Sequence, residues 1–344
     1  MNYEDFLARV RDDLEKRLSA SFEGVRVEVA RTEKLQNQSY TGIRIGLPDL
    51  DVSPMINPTN LFEEVNRGRT FDSVVDELAD MAGDALATAD MLKKLNLTNY
   101  EEMKSRLTVQ LVSKAANREL LAQLPHTDIL DMAEVYRITF NRDHRGEMSS
   151  VVTNQMLNLM GVSKEELHRD AMTYAPLTHP AQIRSLGEVM RGMLGADEFG
   201  TWDPARGESV PMYVATTVES INGAGVIAYP GFMEEAKKQL GGDFYVLPSS
   251  IHEVLLIPVR EAPDYRELLH MVTEINAAIV SPEEKLTDNV YRYSSKERVF
   301  ETAADYENRD RKPSVLAALN DKKTESREKA PAPARTAAKA AATL

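Results

Sequence analysis

The residues best suited to chemistry stand together between Leu247 and Glu253, in the run LPSSIHE. Ser249 and Ser250 supply hydroxyls, His252 an imidazole and Glu253 a carboxylate, the groups from which a nucleophile and its base are made. Ser250 and His252 are only two positions apart, whereas a nucleophile and its base normally come from distant segments. The G-x-S-x-G pattern of a nucleophile elbow is absent around them. A metalloprotease site on H-E-x-x-H fails as well, because position 256 is Leu256 and the run EVLLIPV has strand character, not helix character. The same residues also read as a tight turn, with Pro248 and the serines reversing the chain and His252 bonding backbone groups.

Elsewhere the chemistry is sparse. His126, His144, His168, His179 and His270 include no pair three or four positions apart, so no helix offers two of them to a metal. The chain has no cysteine, which excludes disulfides, thiolate metal sites and a cysteine nucleophile, and fits a reducing cytoplasm. Gly223-Ala-Gly225 and Gly241-Gly242 lack the lysine of a phosphate loop and the spacing of a dinucleotide fold. The expectation is therefore no cofactor and no metal.

Two strand-like runs flank the polar cluster, so residues 243–259 are predicted to form a β-hairpin that carries it. A long helix follows from Tyr265 to about Ile279. Before the hairpin, strands are expected at Met212–Val218 and Ala224–Tyr229, joined by Asn222-Gly223, and a helix at Phe232–Leu240. In the first half, Phe6, Val10, Leu14 and Leu18 recur at helical spacing, and Val25–Ala30 and Tyr40–Leu47 alternate as paired strands around the link LQNQS. Helices are expected through 61–95 with a turn at Arg67–Gly68, and a short one at Ala116–Leu124. Strands are expected at Leu107–Val112 and Ala133–Phe140, the latter ending in a loop, NRDHRGEMSS. Ser163 and Glu166 match a capping box, opening a helix that should stop before Pro176. Residues 177–211 read as irregular. The predicted fold class is α+β: antiparallel or mixed sheets packed with helices, a C-terminal β-hairpin followed by a long helix, and a flexible tail. Residues 1–300 form the folded domain, with a division into two lobes near residue 145 left open, and 301–344 form the tail.

The net charge of −13 is uneven. Residues 309–344 carry nine Lys/Arg against four Asp/Glu, an excess of five, which leaves −18 on the remainder. Phosphate backbones repel a body so acidic, which argues against nucleic acid as its partner. KAPAPARTAAKAAATL at the C-terminal end is low-complexity sequence with nothing to bury. Within the tail, Pro313, Val315, Leu316 and Leu319 make a short amphipathic stretch that reads as a docking peptide, although Ala-rich sequence gives the same pattern by chance. The start of the chain is charged throughout, unlike a signal peptide, and no apolar run approaches the roughly 20 residues of a spanning helix. A cytoplasmic protein is expected.

Three segments, SKAANRELLAQLPH, SSVVTNQMLNLMGVSKEEL and NGAGVIAYPGFMEEAKKQLGGDFYVLPSSIHEVLLIP, occur in order over residues 1–300. Together they resemble an uncharacterised domain family from mobile elements of gut Gram-positive bacteria, marked by LPSSIHE. The resemblance implies an α+β domain with a C-terminal sheet and a mobile-element setting. It carries no activity. The functional expectation is a non-enzymatic accessory protein that binds a protein partner. The alternatives are a hydrolase using His252 with Ser249 or Ser250, and an inhibitor whose acidic body mimics nucleic acid. The oligomeric state is open.

Overall fold

The computed structural model describes residues 1–36, 38–48, 53–93, 96–143, 146–194, 210–248 and 250–311. Ser249, His144 and the tail candidates Pro313, Val315, Leu316 and Leu319 lie outside the described residues.

Helix α1 (Tyr3–Leu18) is opened by Asn2, whose side chain accepts from the Asp5 amide, and its apolar stripe of Phe6, Val10, Leu14 and Leu18 is buried. It packs on an antiparallel sheet of β1 (Arg26–Lys34), β2 (Gln38–Gly46) and β3 (Met55–Ile56). Helices α2 (Thr59–Asn66) and α3 (Phe71–Lys93) complete this part. Val74, Val75 and Leu78 of α3 close a core with Val27, Ile43 and Ile45 of the sheet.

The second sheet follows α4 (Tyr100–Met103). It contains β4 (Leu107–Ser113), then, after α5 (Arg118–Leu121), β5 (His126–Ile129), β6 (Met132–Asp143) and β7 (Gly146–Val151). Strand β6 is its spine, pairing β4 on one side and both β5 and β7 on the other. Helices α6 (Asn154–Met160) and α7 (Lys164–Thr178) come next, and α7 lies on β4.

The third sheet is antiparallel and six-stranded, in the order β13-β12-β10-β11-β9-β8. Its strands are β8 (Ala181–Ser185), β9 (Tyr213–Thr217), β10 (Phe244–Leu247), β11 (Val254–Pro258), β12 (Tyr291–Ser294) and β13 (Val299–Thr302). Between and after them come α8 (Leu186–Leu194), α9 (Phe232–Leu240), α10 (Tyr265–Ala278) and α11 (Ala303–Arg311). One large core joins the second and third sheets, with Tyr136, Phe244, Leu256 and Tyr291 fully buried in it.

The α+β class holds, as do the β10–β11 hairpin, the long helix after it and the Ser163 cap, whose hydroxyl accepts from the Glu166 amide at 3.1 Å. Five expectations change. Residues Gly223–Ala228 form a 3-10 turn, not a strand. That run is buried on all sides, and periodicity alone does not distinguish a buried strand from a buried turn. A Cβ at Gly223 would stand 2.0 Å from Thr216 Oγ1, so the close seating of this turn on β9 requires glycine. The NRDHRGEMSS loop is largely ladder, since β6 runs to Asp143 and β7 begins at Gly146. Helix α7 continues through Pro176 to Thr178, because in a last turn proline removes only one amide while Ala171 and Ala175 stay buried beneath. Residues 177–211, expected to be irregular, contain β8 and α8, and order continues past residue 301 into α11.

Candidate functional site

The LPSSIHE loop joins β10 to β11, and within it Ser250 and His252 bond backbone groups. The Ser250 hydroxyl accepts from the His252 amide at 3.0 Å. His252 Nδ1 accepts from the Asn222 amide at 3.2 Å, which leaves the proton on Nε2, 3.9 Å from a Glu284 carboxylate oxygen. The His252 carbonyl accepts from Thr216 Oγ1 at 2.7 Å. Among the described residues, then, the imidazole and the Ser250 hydroxyl are brought near one another without bonding each other. The loop holds its neighbours instead: the Ile251 amide donates to the Glu284 carbonyl at 2.8 Å, and the Ile251 carbonyl accepts from the Ala224 amide at 3.2 Å.

The segment braced by this contact is one wall of a cleft of about 1020 Å³. Its other walls are the end of β4 with Lys114, Ala115 and Ala116, the start of α5 with Arg118, and β5 with His126 and Asp128. Ion pairs stand on facing walls, Lys114 with Asp128 and Lys285 with Asp288, each at 2.7 Å. Lys114 holds the Asp128 carboxyl below its ordinary value. For Asp288, burial pushes upward, but the Lys285 and Asn276 bonds outweigh it and lower the carboxyl. Asp131 is held at the rim by Thr287 Oγ1 at 2.7 Å, Asn289 Nδ2 at 2.8 Å and the Tyr291 hydroxyl. Burial first, and then the Asp131 carboxylate, raise the Tyr291 hydroxyl, so it stays protonated as a donor. Ala115, Ala116, Ala122, Leu121 and Leu286 give the cleft an apolar floor. Arg118 is exposed at its mouth with no hydrogen bond or ion pair among the described residues.

Gln36 closes the cleft from the N-terminal sheet. It sits at the tip of the β1–β2 hairpin with a positive φ of 66°, and it is buried. Its amide donates to Asn117 Oδ1 at 2.5 Å. Its Oε1 accepts from Asn117 Nδ2 at 2.6 Å and from the Ser113 amide at 3.1 Å, while its Nε2 donates to the Lys285 carbonyl. One side chain thus ties together three segments far apart in the chain.

A second polar assembly lies inside the β6–β7 hairpin. His179 Nε2 donates to Glu147 Oε2 at 2.6 Å, and both side chains are nearly inaccessible. Arg142 bonds Glu147 at 3.1 Å and Glu219 at 2.8 Å, and it also touches His179. Thr139 Oγ1 donates to the other Glu147 oxygen at 3.1 Å. Burial alone would raise the Glu147 carboxyl, but His179, Arg142 and Thr139 together bring it down to about 2. Both Glu147 oxygens are bonded, one by Thr139 and the other by His179 and Arg142, so the network reads as a structural lock. Among the described residues no group of three or more His, Asp or Glu side chains is placed to hold a metal ion, and no helix is long and apolar enough to cross a membrane.

Residues 3–295 match a family of unknown function, DUF5688. The chain belongs to that family. Neither a curated protein nor a solved structure matches it. Within the family span, the cleft residues Lys114, Ala116, Arg118 and His126 come from SKAANRELLAQLPH, one of the segments that carried the resemblance. The sequence offered no signal for Gln36, Asp131 or Glu147, because partners that define each one, Asn117 and Lys285, Thr287 and Tyr291, and His179, lie far along the chain.

Proposed function

We propose that the protein is a non-enzymatic interaction protein that holds a segment of a protein partner in the cleft beside Gln36. The observation that carries this reading is the make-up of the cleft: an apolar floor between facing ion pairs, with Arg118 unpaired among the described residues at the mouth. An apolar side chain on the floor and an acidic group on Arg118 would both be accommodated. The LPSSIHE loop supports this wall through Ile251 and Glu284, while the Ser250 hydroxyl and the His252 imidazole bond backbone amides. In the mobile-element setting of the resemblance, this is the role of a cytoplasmic accessory protein. The tail peptide from Pro313 to Leu319 offers a second point of attachment.

Partner capture from host extract tests the reading, with Ala116→Trp filling the cleft, Arg118→Glu reversing its free charge and His252→Ala as the control. A stoichiometric partner retained by wild type and His252→Ala, but lost from both cleft variants, supports it. Retention by Ala116→Trp removes the cleft from the account. A hydrolytic activity that disappears in His252→Ala would replace binding with catalysis. A version ending at Asp310 separates the contribution of the tail.

A further inference from the structure

The register of the first sheet fixes which way each backbone group of β1 points. The Ile45 amide donates to the Pro54 carbonyl at 2.9 Å, and the Thr41 carbonyl accepts from the Tyr3 hydroxyl at 2.8 Å, so both residues of β2 face away from β1. Their register partners are Val27 and Arg31. In an antiparallel ladder such pairs do not exchange hydrogen bonds, so Val27, Val29, Arg31 and Glu33 turn their N–H and C=O groups outward. The Val27 amide confirms this direction by donating to Glu15 Oε2 at 2.9 Å. Beyond it, the amides of Val29, Arg31 and Glu33 have no partner among the described residues, and these side chains are exposed.

The edges of β8 and β4 are covered. Ile183 of β8 has its carbonyl taken by Gln239 Nε2 at 3.1 Å, and the 223–228 turn lies so close to β4 that a Cβ at Gly225 would be 3.2 Å from the Val109 carbonyl oxygen. The outer half of β1 is a strand edge ready to be paired.

We propose that this edge pairs with a second copy of the chain, antiparallel, about a two-fold axis at Thr32. The charges select this occupant and this register. Centred on Thr32, Arg31 of each copy lies opposite Glu33 of the other, and the Thr32 side chains meet at the axis. Centred one residue earlier, Arg31 would oppose Arg31, a like-charge contact. A short edge gives a small interface, so the dimer is weak and concentration-dependent.

Sedimentation velocity on the full chain, from about 1 μM to about 500 μM, reads the association directly. Wild type dimerises across that range. Arg31→Glu and Glu33→Arg each weaken the dimer about tenfold or more, and the double exchange restores it. Arg31→Pro abolishes it without costing a β1–β2 bond, because the Arg31 amide points outward. A wild type that stays monomeric at every concentration overturns the proposal. So does a dimer indifferent to these substitutions. Circular dichroism of each variant confirms that loss of the dimer is not loss of the fold.

Discussion

The loop at Leu247–Glu253 and the assembly around Glu147 contain the same kinds of side chain and arrive at opposite electrostatic states. In the loop, serine, histidine and glutamate are neighbours in sequence; the Ser250 hydroxyl takes the backbone amide two residues on, and His252 takes the Asn222 amide while remaining partly exposed. Around Glu147, the participants come from three segments, Thr139 and Arg142 from β6 with His179 and Glu219 from further along the chain, and the Glu147–His179 pair at the centre is nearly closed to water. Adjacency along a chain satisfies turn geometry, because neighbouring groups reach the local backbone first. Strong charge coupling needs groups that the local backbone cannot claim and that folding desolvates together.

The sharpest way to break this contrast is Glu147→Ala. Removing one member of a buried charge network leaves the others unpaired, at a cost of about 3–5 kcal/mol, read as a lower urea midpoint at neutral pH. The wild-type network also has a pH signature. Because folding lowers the Glu147 carboxyl from 4.5 to about 2, its contribution is fully present above 4.5 and disappears as the pH falls through about 2. Acid titration of Glu147→Gln should lack that component. If wild type and variant lose stability in parallel, the network is not the lock described.

His252→Ala makes the complementary measurement. The variant loses one bond from a backbone amide at a partly exposed position, worth about 1 kcal/mol. A loss as large as that of Glu147→Ala would mean that the loop carries more than its turn and its brace on Glu284.

The smallest expected effect sharpens the comparison on a third histidine. His168 Nδ1 stands 3.5 Å from Glu134 Oε1 and 3.0 Å from the Tyr136 hydroxyl, with its side chain partly exposed. The Glu134 carboxylate raises His168 above its ordinary 6.5. The pair therefore stabilises fully below pH 6.5, and its contribution is lost as the pH rises through the raised folded value. Urea midpoints measured on both sides of that window should show this slope in wild type and not in His168→Gln.

Much of the element pattern was legible before folding. The stripe of α1, the β1–β2 and β10–β11 hairpins, the Ser163 cap and helix α10 are set by periodicity and end signals that act within a few residues. The misreadings share a cause. The run 223–228 is apolar whichever way it folds, and residues 181–194 acquire their order from β9, a strand that begins at Tyr213. Of the candidate site, the sequence named a loop that the fold uses as a brace, and it left the cleft unseen.

Composition and local spacing by themselves determined the α+β class, the absence of thiol chemistry, the acidic body and the hairpin that carries LPSSIHE, since each depends only on residue type or on neighbours within one element. Tertiary structure alone decided that Gln36 meets Asn117 and Lys285, that Glu147 meets His179, and that the outward amides of Val29, Arg31 and Glu33 remain unpaired among the described residues. Those outcomes depend on which distant segments are packed together, and hydrogen bonds and charges act only across the few ångströms that packing brings them within.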